Sequence, residues 1–344
     1  MTLQLGIGTF GDRTVRTDGT PYTAAETIRQ IVDQGVLADE VGVTSINLGE
    51  HHRPDFAVSN PETVLAAIAG RTSRIRLGTG VTVLSSDDPV RVYEKFATLD
   101  AVSSGRAEIT VGRGSFTESF PLFGYDLHDY EVLFEEKLDL FVQLLREEPV
   151  NWRGTVRPAL VDADVFPKTE NGIDAWVGVG GTPASVVRTA RHGLSLMLAI
   201  IGGPAARFRP YVDLFHEQLA AFGKTNGTGG KVGAYSAGYI ADTDEQALEE
   251  AFDGFARTAR QIGGERGWQM FTRERFMRDA GPSGSTYVGS PETVARKIAS
   301  TVQTLGLDRF DMNYGTATAH PDKLLRSIEL YGTKVIPLVK EMLS

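Results

Sequence analysis

The sequence predicts an α/β fold, a single barrel of eight parallel strands and eight helices, written (β/α)8. Three observations predict this barrel: eight short β-rich runs, helical patterns between them, and capped starts to several of those helices. The length of 344 residues suits one such barrel with loop insertions. Hydrophobic residues make up 41% of the chain, which is enough for a full core.

The eight β-rich runs follow one another along the whole chain. They cover residues 3–10, 44–52, 74–84, 107–114, 175–180, 194–201, 233–241 and 309–315. Between them, apolar residues recur at helical spacing, as in Ile28, Ile31 and Val32. Alternating strands and helices predict a parallel sheet. Periodicity alone fits a closed barrel or a doubly wound open sheet, and the count of eight favours the barrel.

Five helix starts carry the same signal, a capping residue followed by proline. The cap side chain accepts a hydrogen bond from a free backbone N–H, and proline at the first helical position has no N–H to satisfy. The five pairs are Thr20–Pro21, Asn60–Pro61, Asp88–Pro89, Thr182–Pro183 and Ser290–Pro291. We therefore expect a strand or loop to turn into a helix at each of these pairs.

Two segments fall outside the repeat and are interpreted as insertions, residues 148–173 and residues 263–289. Neither is bounded by a shift in composition, so we expect one barrel domain over residues 1–344. The second insertion is rich in glycine, which is typical of a mobile lid over a barrel site, and Arg273, Arg275 and Arg278 would then face ligand or solvent at its edge. A fixed surface excursion is the alternative.

Composition excludes several classes of function. The net charge of −9, from 35 basic and 44 acidic residues, disfavours nucleic acid and anionic membranes as partners. The chain has no cysteine, which excludes disulfides, thiolate catalysis and iron–sulfur clusters. Redox chemistry would therefore need a cofactor. The first residues lack a signal-peptide pattern and no long apolar stretch follows, so we expect a cytoplasmic protein.

Residues 49–52, Gly-Glu-His-His, end the second β-rich run, at the rim where barrel enzymes build their sites. Adjacent strand residues point to opposite faces, which disfavours a metal ion held by both His51 and His52. The same alternation predicts that His52 is the more structural of the two. Spacing alone leaves catalytic and structural roles open for His51.

Two further segments suit a phosphate group. Arg113 lies between two glycines at the end of the fourth run, and its guanidinium offers several donors, although it could equally be a surface arginine. Residues 178–185 form a loop of small residues that enters a helix, where free N–H groups favour an anion. Pro183 breaks the dinucleotide fingerprint, so a single phosphate fits better. A merely well-capped helix is the alternative.

Taken in order, these segments resemble the bacterial luciferase family. The likeness lies in GEHH at 49–52, LGTGV at 77–81, DPVR at 88–91, FATLD at 96–100, SGR at 104–106, VGRG at 111–114, the loop after the fifth run, YVGSPETV at 287–294 and LG at 305–306. No single motif is specific, but the ordered set is, and it spans most of the chain.

The resemblance implies a binding site for the phosphate of FMN. The family's phosphate-binding arginine falls on Arg113, with a backbone N–H from Ser115 beside it. The family's phosphate loop falls on Gly181, Thr182 and Ser185. Luciferase has an acid at the first of these loop positions, so at Gly181 the contact can come only from the backbone.

The resemblance also implies where the flavin ring and the catalytic group lie. His51 matches the histidine that acts as acid or base beside the flavin in luciferase. A non-prolyl cis peptide bond lies under the flavin ring in this family, and the matching bond joins Gly80 to Val81. Without that resemblance, the glycines of this third run indicate either close approach of a flat ligand or space inside the barrel.

The function implied is an FMN-dependent monooxygenase that inserts one oxygen atom from O2 into a small organic substrate through a flavin hydroperoxide. The reductant would be NAD(P)H, through a separate flavin reductase, and the family favours a homodimer. The luciferase aldehyde pocket diverges here, and residues 148–173 have no clear match in the family. Light emission is therefore not implied.

Three alternatives remain. The first is an oxidoreductase of the same barrel family that uses the deazaflavin F420, against which the lack of a basic tract for its anionic tail argues. The second is a non-catalytic flavin-binding protein, which the presence of His51 disfavours. The third is a flavin-free aldolase or isomerase, which would need a lysine or carboxylate base that the strand ends do not offer.

Overall fold

The architecture is a parallel barrel surrounded by helices. The computed structural model describes residues 3–114, 116–225, 229–266, 271–318 and 320–344. The strands within these ranges are β1 (Gln4–Thr9), β2 (Ser45–Leu48), β3 (Arg76–Thr79), β4 (Thr82–Val83), β5 (Glu108–Gly112), β6 (Val150–Trp152), β7 (Leu160–Ala163), β8 (Asp174–Val179), β9 (Ser195–Ala199), β10 (Val232–Ile240), β11 (Tyr287–Gly289) and β12 (Arg309–Asn313).

The barrel sheet runs in the order β3, β2, β1, β12, β10, β9, β8, β5, β4, and every neighbouring pair is parallel. Strands β3 and β4 are two parts of one interrupted strand. A backbone bridge between Leu77 and Ala107 joins β3 to β5, which closes the circle. Eight strand positions therefore form the barrel, and the predicted fold class is confirmed.

Most predicted runs are longer than the strands they contain, and two of them differ most from the structure. The second run was expected to reach residue 52, but β2 ends at Leu48 and the chain leaves the sheet before the two histidines. The third run was expected to be continuous, but it is divided at Gly80 and Val81, whose peptide bond is cis. Both differences lie at the carboxyl ends of strands, where a barrel builds its sites.

The helices pack around the outside of the barrel. They are α1 (Ala24–Glu40), α2 (Pro61–Ala69), α3 (Pro89–Ser103), α4 (Ser119–Leu122), α5 (Tyr130–Leu144), α6 (Pro183–His192), α7 (Arg209–Ala221), α8 (Asp244–Arg266), α9 (Arg273–Ala280), α10 (Pro291–Leu305), α11 (Pro321–Leu330) and α12 (Ile336–Leu343), with a π-helical turn between the last two. Among the helices of the described ranges, none has the length and apolarity needed to cross a bilayer.

Four of the five predicted helix starts are confirmed, at Asn60, Asp88, Thr182 and Ser290. The prediction at Thr20–Pro21 is wrong, because Pro21 forms a β-bridge with Val15 in the loop before α1. The α1 helix begins instead after Thr23. The Thr23 side chain accepts a hydrogen bond from the N–H of Glu26, whose side chain accepts one from the N–H of Thr23.

The insertion at residues 148–173 contains an antiparallel hairpin of β6 and β7, apart from the barrel sheet. The segment 263–289 includes the end of α8, then α9, and finally β11, which pairs with β10. Residues 267–270 of that segment lie outside the described residues.

The later part of the second insertion is tied to the helix that follows it. The ammonium group of Lys297 on α10 donates to the carbonyls of Gly281 and Thr286, both at 2.6 Å. Phe276 of α9 is buried against Phe252 and Phe255 of α8. These contacts favour the fixed excursion over the lid for residues 271–289.

The arginines expected at the edge of such a lid lie on α9. Arg273 and Arg278 are exposed, and Arg273 pairs with Glu249 at 3.5 Å. Arg275 pairs with Asp279 at 3.6 Å along the same helix. In the structure they therefore face solvent and neighbouring helices.

A buried ionic cluster fills the interior of the barrel. The Arg309 guanidinium pairs with Glu108 at 2.6 Å and with Asp311 at 2.8 Å, and it also donates to Ser45 Oγ. All four side chains are almost completely buried. Because each charge has an opposite partner, the barrel tolerates them beneath its open end.

Candidate functional site

A cavity of about 440 Å³ opens at the carboxyl ends of the barrel strands. This volume falls in the range of small-molecule sites. Its walls are largely apolar and include backbone from several glycines. All eight strand positions of the barrel, or the loops that follow them, contribute residues, among them Phe10, His51, Val81, Arg113, Gly180 and Tyr235. The cavity can therefore hold a flat organic ligand, with polar groups at selected points.

His51 lies in the loop after β2, inside a cage of aromatic rings. Its ring centroid is 4.4 Å from that of Phe56 and 5.0 Å from those of Phe10 and Phe116. The backbone N–H of His51 donates to the carbonyl of Val58 at 3.0 Å, which fixes the loop. The imidazole is thus held by packing on a wall of the cavity, where it could exchange a proton with a bound ligand.

His52 also lines the cavity, so the prediction that strand alternation turns it away is wrong. The reason is that β2 ends at Leu48, and a strand period does not apply to a loop. The His52 ring bonds to a carboxylate oxygen of Glu50 at 2.9 Å, while the other oxygen accepts from the N–H of Val83 at 2.8 Å. Glu50 thereby ties His52 to β4. The described residues contain no cluster suited to a metal ion.

The predicted phosphate residues come together at one side of the cavity. Arg113 donates to Ser185 Oγ at 3.4 Å, and Ser185 Oγ accepts from the Thr182 hydroxyl at 2.8 Å. Gly181 just before them has a φ of +108°, a conformation that favours glycine. Ser115, the remaining predicted contact, lies outside the described residues. We call Arg113, Gly181, Thr182 and Ser185 the anion cradle.

The start of α6 is capped differently from the starts of α2, α3 and α10, although α7, α11 and α12 also have proline at their first or second position and lack a side-chain cap. Asn60, Asp88 and Ser290 each accept a hydrogen bond from a backbone N–H of their own helix. Thr182 makes no such bond, because its hydroxyl is directed to Ser185. The first turn of α6 therefore keeps N–H groups without a side-chain cap, an arrangement that favours an anion.

The charges around the anion cradle leave a net positive group. Arg113 pairs with Glu131, and Glu131 also pairs with Arg188 at 3.2 Å. Glu135 pairs with Arg188 and Arg191. Three guanidinium groups thus share two carboxylates. An anion that bound at Arg113 would replace Glu131 as its partner without leaving unpaired negative charge.

The cis bond between Gly80 and Val81 lies on the floor of the cavity. Two glycines make room for the Val81 side chain. A Cβ atom would lie 2.7 Å from Val81 if built at Gly112, and 2.8 Å if built at Gly178. The glycines of β5 and β8 are therefore needed for protein packing under the cavity as well as for any approach of a ligand.

The cavity residues that the sequence analysis missed include Tyr235 and Asp311. The Tyr235 hydroxyl is buried and has no hydrogen-bond partner among the described residues. Burial raises the pKa of Asp311 to about 6, although Arg309 opposes the shift. The available signal was the alternation of Arg309, Asp311 and Asn313 in the last strand, which places polar side chains on one face.

Comparison with known proteins decides the family. The sequence model described as luciferase-like monooxygenase matches residues 9–309, most of the chain. The chain belongs to this family. Among curated members, 4-hydroxyprotoasukamycin monooxygenase of Streptomyces nodosus subsp. asukaensis is 32% identical over 231 residues, which cover 64% of this chain and 61% of that protein. The resemblance inferred from the ordered motifs is therefore confirmed.

Solved structures of luciferase-like proteins share the fold. The monooxygenase RslO1 from Streptomyces bottropensis has a TM-score of 0.83 and 25% identity over 97% of this chain and 99% of that one. The oxygenating component of 3,6-diketocamphane monooxygenase of Pseudomonas putida, in complex with FMN, has a TM-score of 0.76, with 18% identity and 98% and 99% coverage. The F420-dependent tetrahydromethanopterin reductase of Methanopyrus kandleri has a TM-score of 0.72, with 20% identity and 98% and 99% coverage.

Proposed function

We propose that this chain is an FMN-dependent monooxygenase that inserts one oxygen atom from O2 into a small organic substrate. The observation that carries the proposal is the position of the anion cradle beside the apolar cavity. A ligand with a flat aromatic ring and a phosphate tail would meet both surfaces at once. Membership of the luciferase-like monooxygenase family supports the same reaction class.

The cofactor would be held at two places. Arg113, the hydroxyls of Thr182 and Ser185, and the N–H groups of Gly181 and the first turn of α6 would bind the phosphate. The backbone at Gly80 and Val81 would support the ring, and we expect Ser115 to add a backbone N–H. A bound, reduced FMN would supply the electrons with which one oxygen atom enters the substrate and the other leaves as water.

His51 would hold or move a proton at the reacting end of the cavity. Its aromatic cage of Phe10, Phe56 and Phe116 excludes water from one side of the imidazole. Proton transfer by a positioned imidazole typically contributes about 10² to 10⁴ in rate. Exclusion of water would also protect the activated oxygen from unproductive decay.

The proposed function is tested by binding and then by oxygen uptake. Purified protein is titrated separately with FMN, riboflavin, FAD and F420, followed by fluorescence. With FMN, a flavin reductase and NAD(P)H, oxygen uptake is then measured over a panel of organic substrates. We expect FMN to bind most tightly and a substrate to stimulate uptake. Absence of flavin binding would contradict the proposal. Sedimentation of the same samples tests the homodimer that we also propose.

The second candidate is an F420-dependent oxidoreductase that transfers hydride without O2. Its support is the fold shared with F420-dependent tetrahydromethanopterin reductase. The phosphate of F420 would suit the anion cradle as well as that of FMN. Tighter binding of F420 than of FMN, with substrate-dependent change in F420 absorbance under anaerobic conditions, would favour this candidate. A flavin that binds with no turnover in either assay would indicate a non-catalytic binding protein.

A further inference from the structure

A second, polar cavity of about 200 Å³ adjoins the main one. Its charged lining comprises Asp12, Arg13, Asp55 and Arg257, and Thr258 lines both cavities. Phe56 forms part of its wall and packs against His51 with a centroid distance of 4.4 Å. A ligand whose reacting end lies near His51 could therefore extend its other end into the polar cavity.

Two of the four charged residues in this cavity already have partners. Asp55 accepts from Arg53 at 3.1 Å, and Arg13 donates to the carbonyl of Tyr22 at 2.6 Å. These contacts hold the walls of the cavity in place. Besides the Nε atom of Arg13, which is buried without a hydrogen-bond partner in the described ranges, they leave Asp12 and Arg257 as the groups available to a ligand.

The backbone of Asp12 forms a β-bridge with Phe56, but the side chains of Asp12 and Arg257 form no ion pair with each other or with any other residue that the structure describes. The Oδ2 atom of Asp12 is buried without a hydrogen-bond partner in the described ranges. No ion pair or hydrogen bond of Arg257 is formed within those ranges, although its charge acts on Asp12. Burial raises the pKa of Asp12 to about 6, and Arg257 opposes that rise. Two opposite charges thus line one small cavity with a gap between them.

We propose that this cavity binds an amide group of the substrate, with the amide carbonyl accepting from Arg257 and the amide N–H donating to Asp12. Buried polar groups in native proteins almost always have partners, so the unpartnered Oδ2 atom of Asp12, in a cavity that Arg257 also lines, points to a ligand. The amide site rests on the proposed function in one respect: the proposed function places the reacting end of the substrate in the main cavity. It makes Arg257 and Asp12 the residues that select the substrate.

Groups of a single charge suit this pair less well. A carboxylate would bind Arg257 but would face the Asp12 carboxylate, and like charges repel at short range. An ammonium group would pair with Asp12 but would face the positive charge of Arg257. A neutral amide carries an acceptor and a donor side by side and satisfies both residues without repulsion. An ester offers only the acceptor.

The test uses three probes that share a phenylpropanoyl body: 3-phenylpropanamide, methyl 3-phenylpropanoate and 3-phenylpropanoate. Their affinities are measured by calorimetry for the wild type, Arg257→Met, Asp12→Asn and the control Arg260→Met. Arg260 is exposed on the same helix and lines neither cavity. FMN affinity is measured for every variant.

We expect the amide to bind the wild type more tightly than either other probe. Arg257→Met should weaken the amide at least tenfold, while Arg260→Met should leave its affinity unchanged. Asp12→Asn should weaken the amide several-fold and the ester hardly at all. FMN affinity should be the same in all four proteins, because neither residue touches the anion cradle.

The proposal is overturned if the amide shows no saturable binding, if it binds no more tightly than the ester or the acid, or if Arg257→Met and Arg260→Met bind it equally. Such a result in a protein that binds FMN normally would remove the amide site alone. A wild-type protein that binds no flavin would instead contradict the proposed function, while the amide titration would still report on this cavity.

Discussion

The anion cradle and the barrel interior beneath the cavity are built in different ways. The cradle comes from loops in which glycine stands beside an arginine or a helix start, and its long-range bond joins Arg113 to Ser185, 72 positions apart. The interior cluster joins Asn47 to Asp311, 264 positions apart. The first region has a local sequence signature, whereas the second exists only once the barrel closes.

This difference has a physical cause. A loop that presents N–H groups to an anion needs glycine conformations and a helix N-terminus, which are encoded within a few residues. A buried ionic cluster needs only single polar residues at inward positions of separate strands. The two regions should therefore respond differently to substitution: a ligand contact changes binding or turnover, and an interior charge changes stability.

The largest expected effect is on turnover at His51. If the proposed function is right, His51→Ala lowers substrate-stimulated oxygen uptake by about 10² to 10⁴, because a positioned acid or base is lost. FMN affinity should hardly change. The matched control is His52→Ala, which breaks the bond to Glu50 and should affect thermal stability more than turnover. Reversed behaviour of the two variants would contradict the assignment of His51.

A large loss of stability is expected from Arg309→Met in the barrel interior. Removal of the guanidinium leaves Asp311 buried without its ionic partner and Glu108 with Arg76 alone, and breaking a buried pair in this way typically costs about 3 to 5 kcal/mol. The control is Arg326→Met, whose ion pairs with Asp242 and Glu329 are half exposed. Exposed pairs contribute about 1 kcal/mol or less. Equal free energies of urea unfolding for the two variants would refute the role given to the cluster.

The raised pKa of Asp311 predicts how the free energy of unfolding depends on pH. Burial raises the pKa of its carboxyl to about 6 in the folded state, against an ordinary value of 3.8. Between these values the unfolded chain loses the proton first, so this group's contribution to stability falls as pH rises. Burial would raise the pKa of Glu108, but the charges of Arg309 and Arg76 outweigh burial and hold that pKa below its ordinary value.

The measurement is the free energy of unfolding of the wild type and of Asp311→Asn between about pH 4 and pH 7. The wild type should lose stability relative to the variant as pH rises through this interval. If the free energies of unfolding of the two proteins change equally with pH, the pKa of Asp311 is not raised in the folded state.

The barrel was predictable because strand and helix periods repeat along the chain. The Asn60, Asp88 and Ser290 helix starts were equally visible in the sequence. The end of β2 was not, because residues 49–52, Gly-Glu-His-His, carry no turn signal that marks where the backbone leaves the sheet. The position of Tyr235 in the cavity wall depends on residues from distant strands. The separation of Asp12 from Arg257 likewise depends on how a loop and a distant helix pack together. No local pattern encodes such distances.

The most direct test of the central claim compares FMN with riboflavin on Arg113→Ala. A hydrogen bond to a charged group contributes about 1.5 to 3 kcal/mol, so the variant should bind FMN about tenfold to a hundredfold more weakly. Riboflavin has the same ring without the phosphate, and its affinity should hardly change. If both ligands lose affinity equally, Arg113 supports the ring pocket or the fold, and the anion cradle is not the phosphate site.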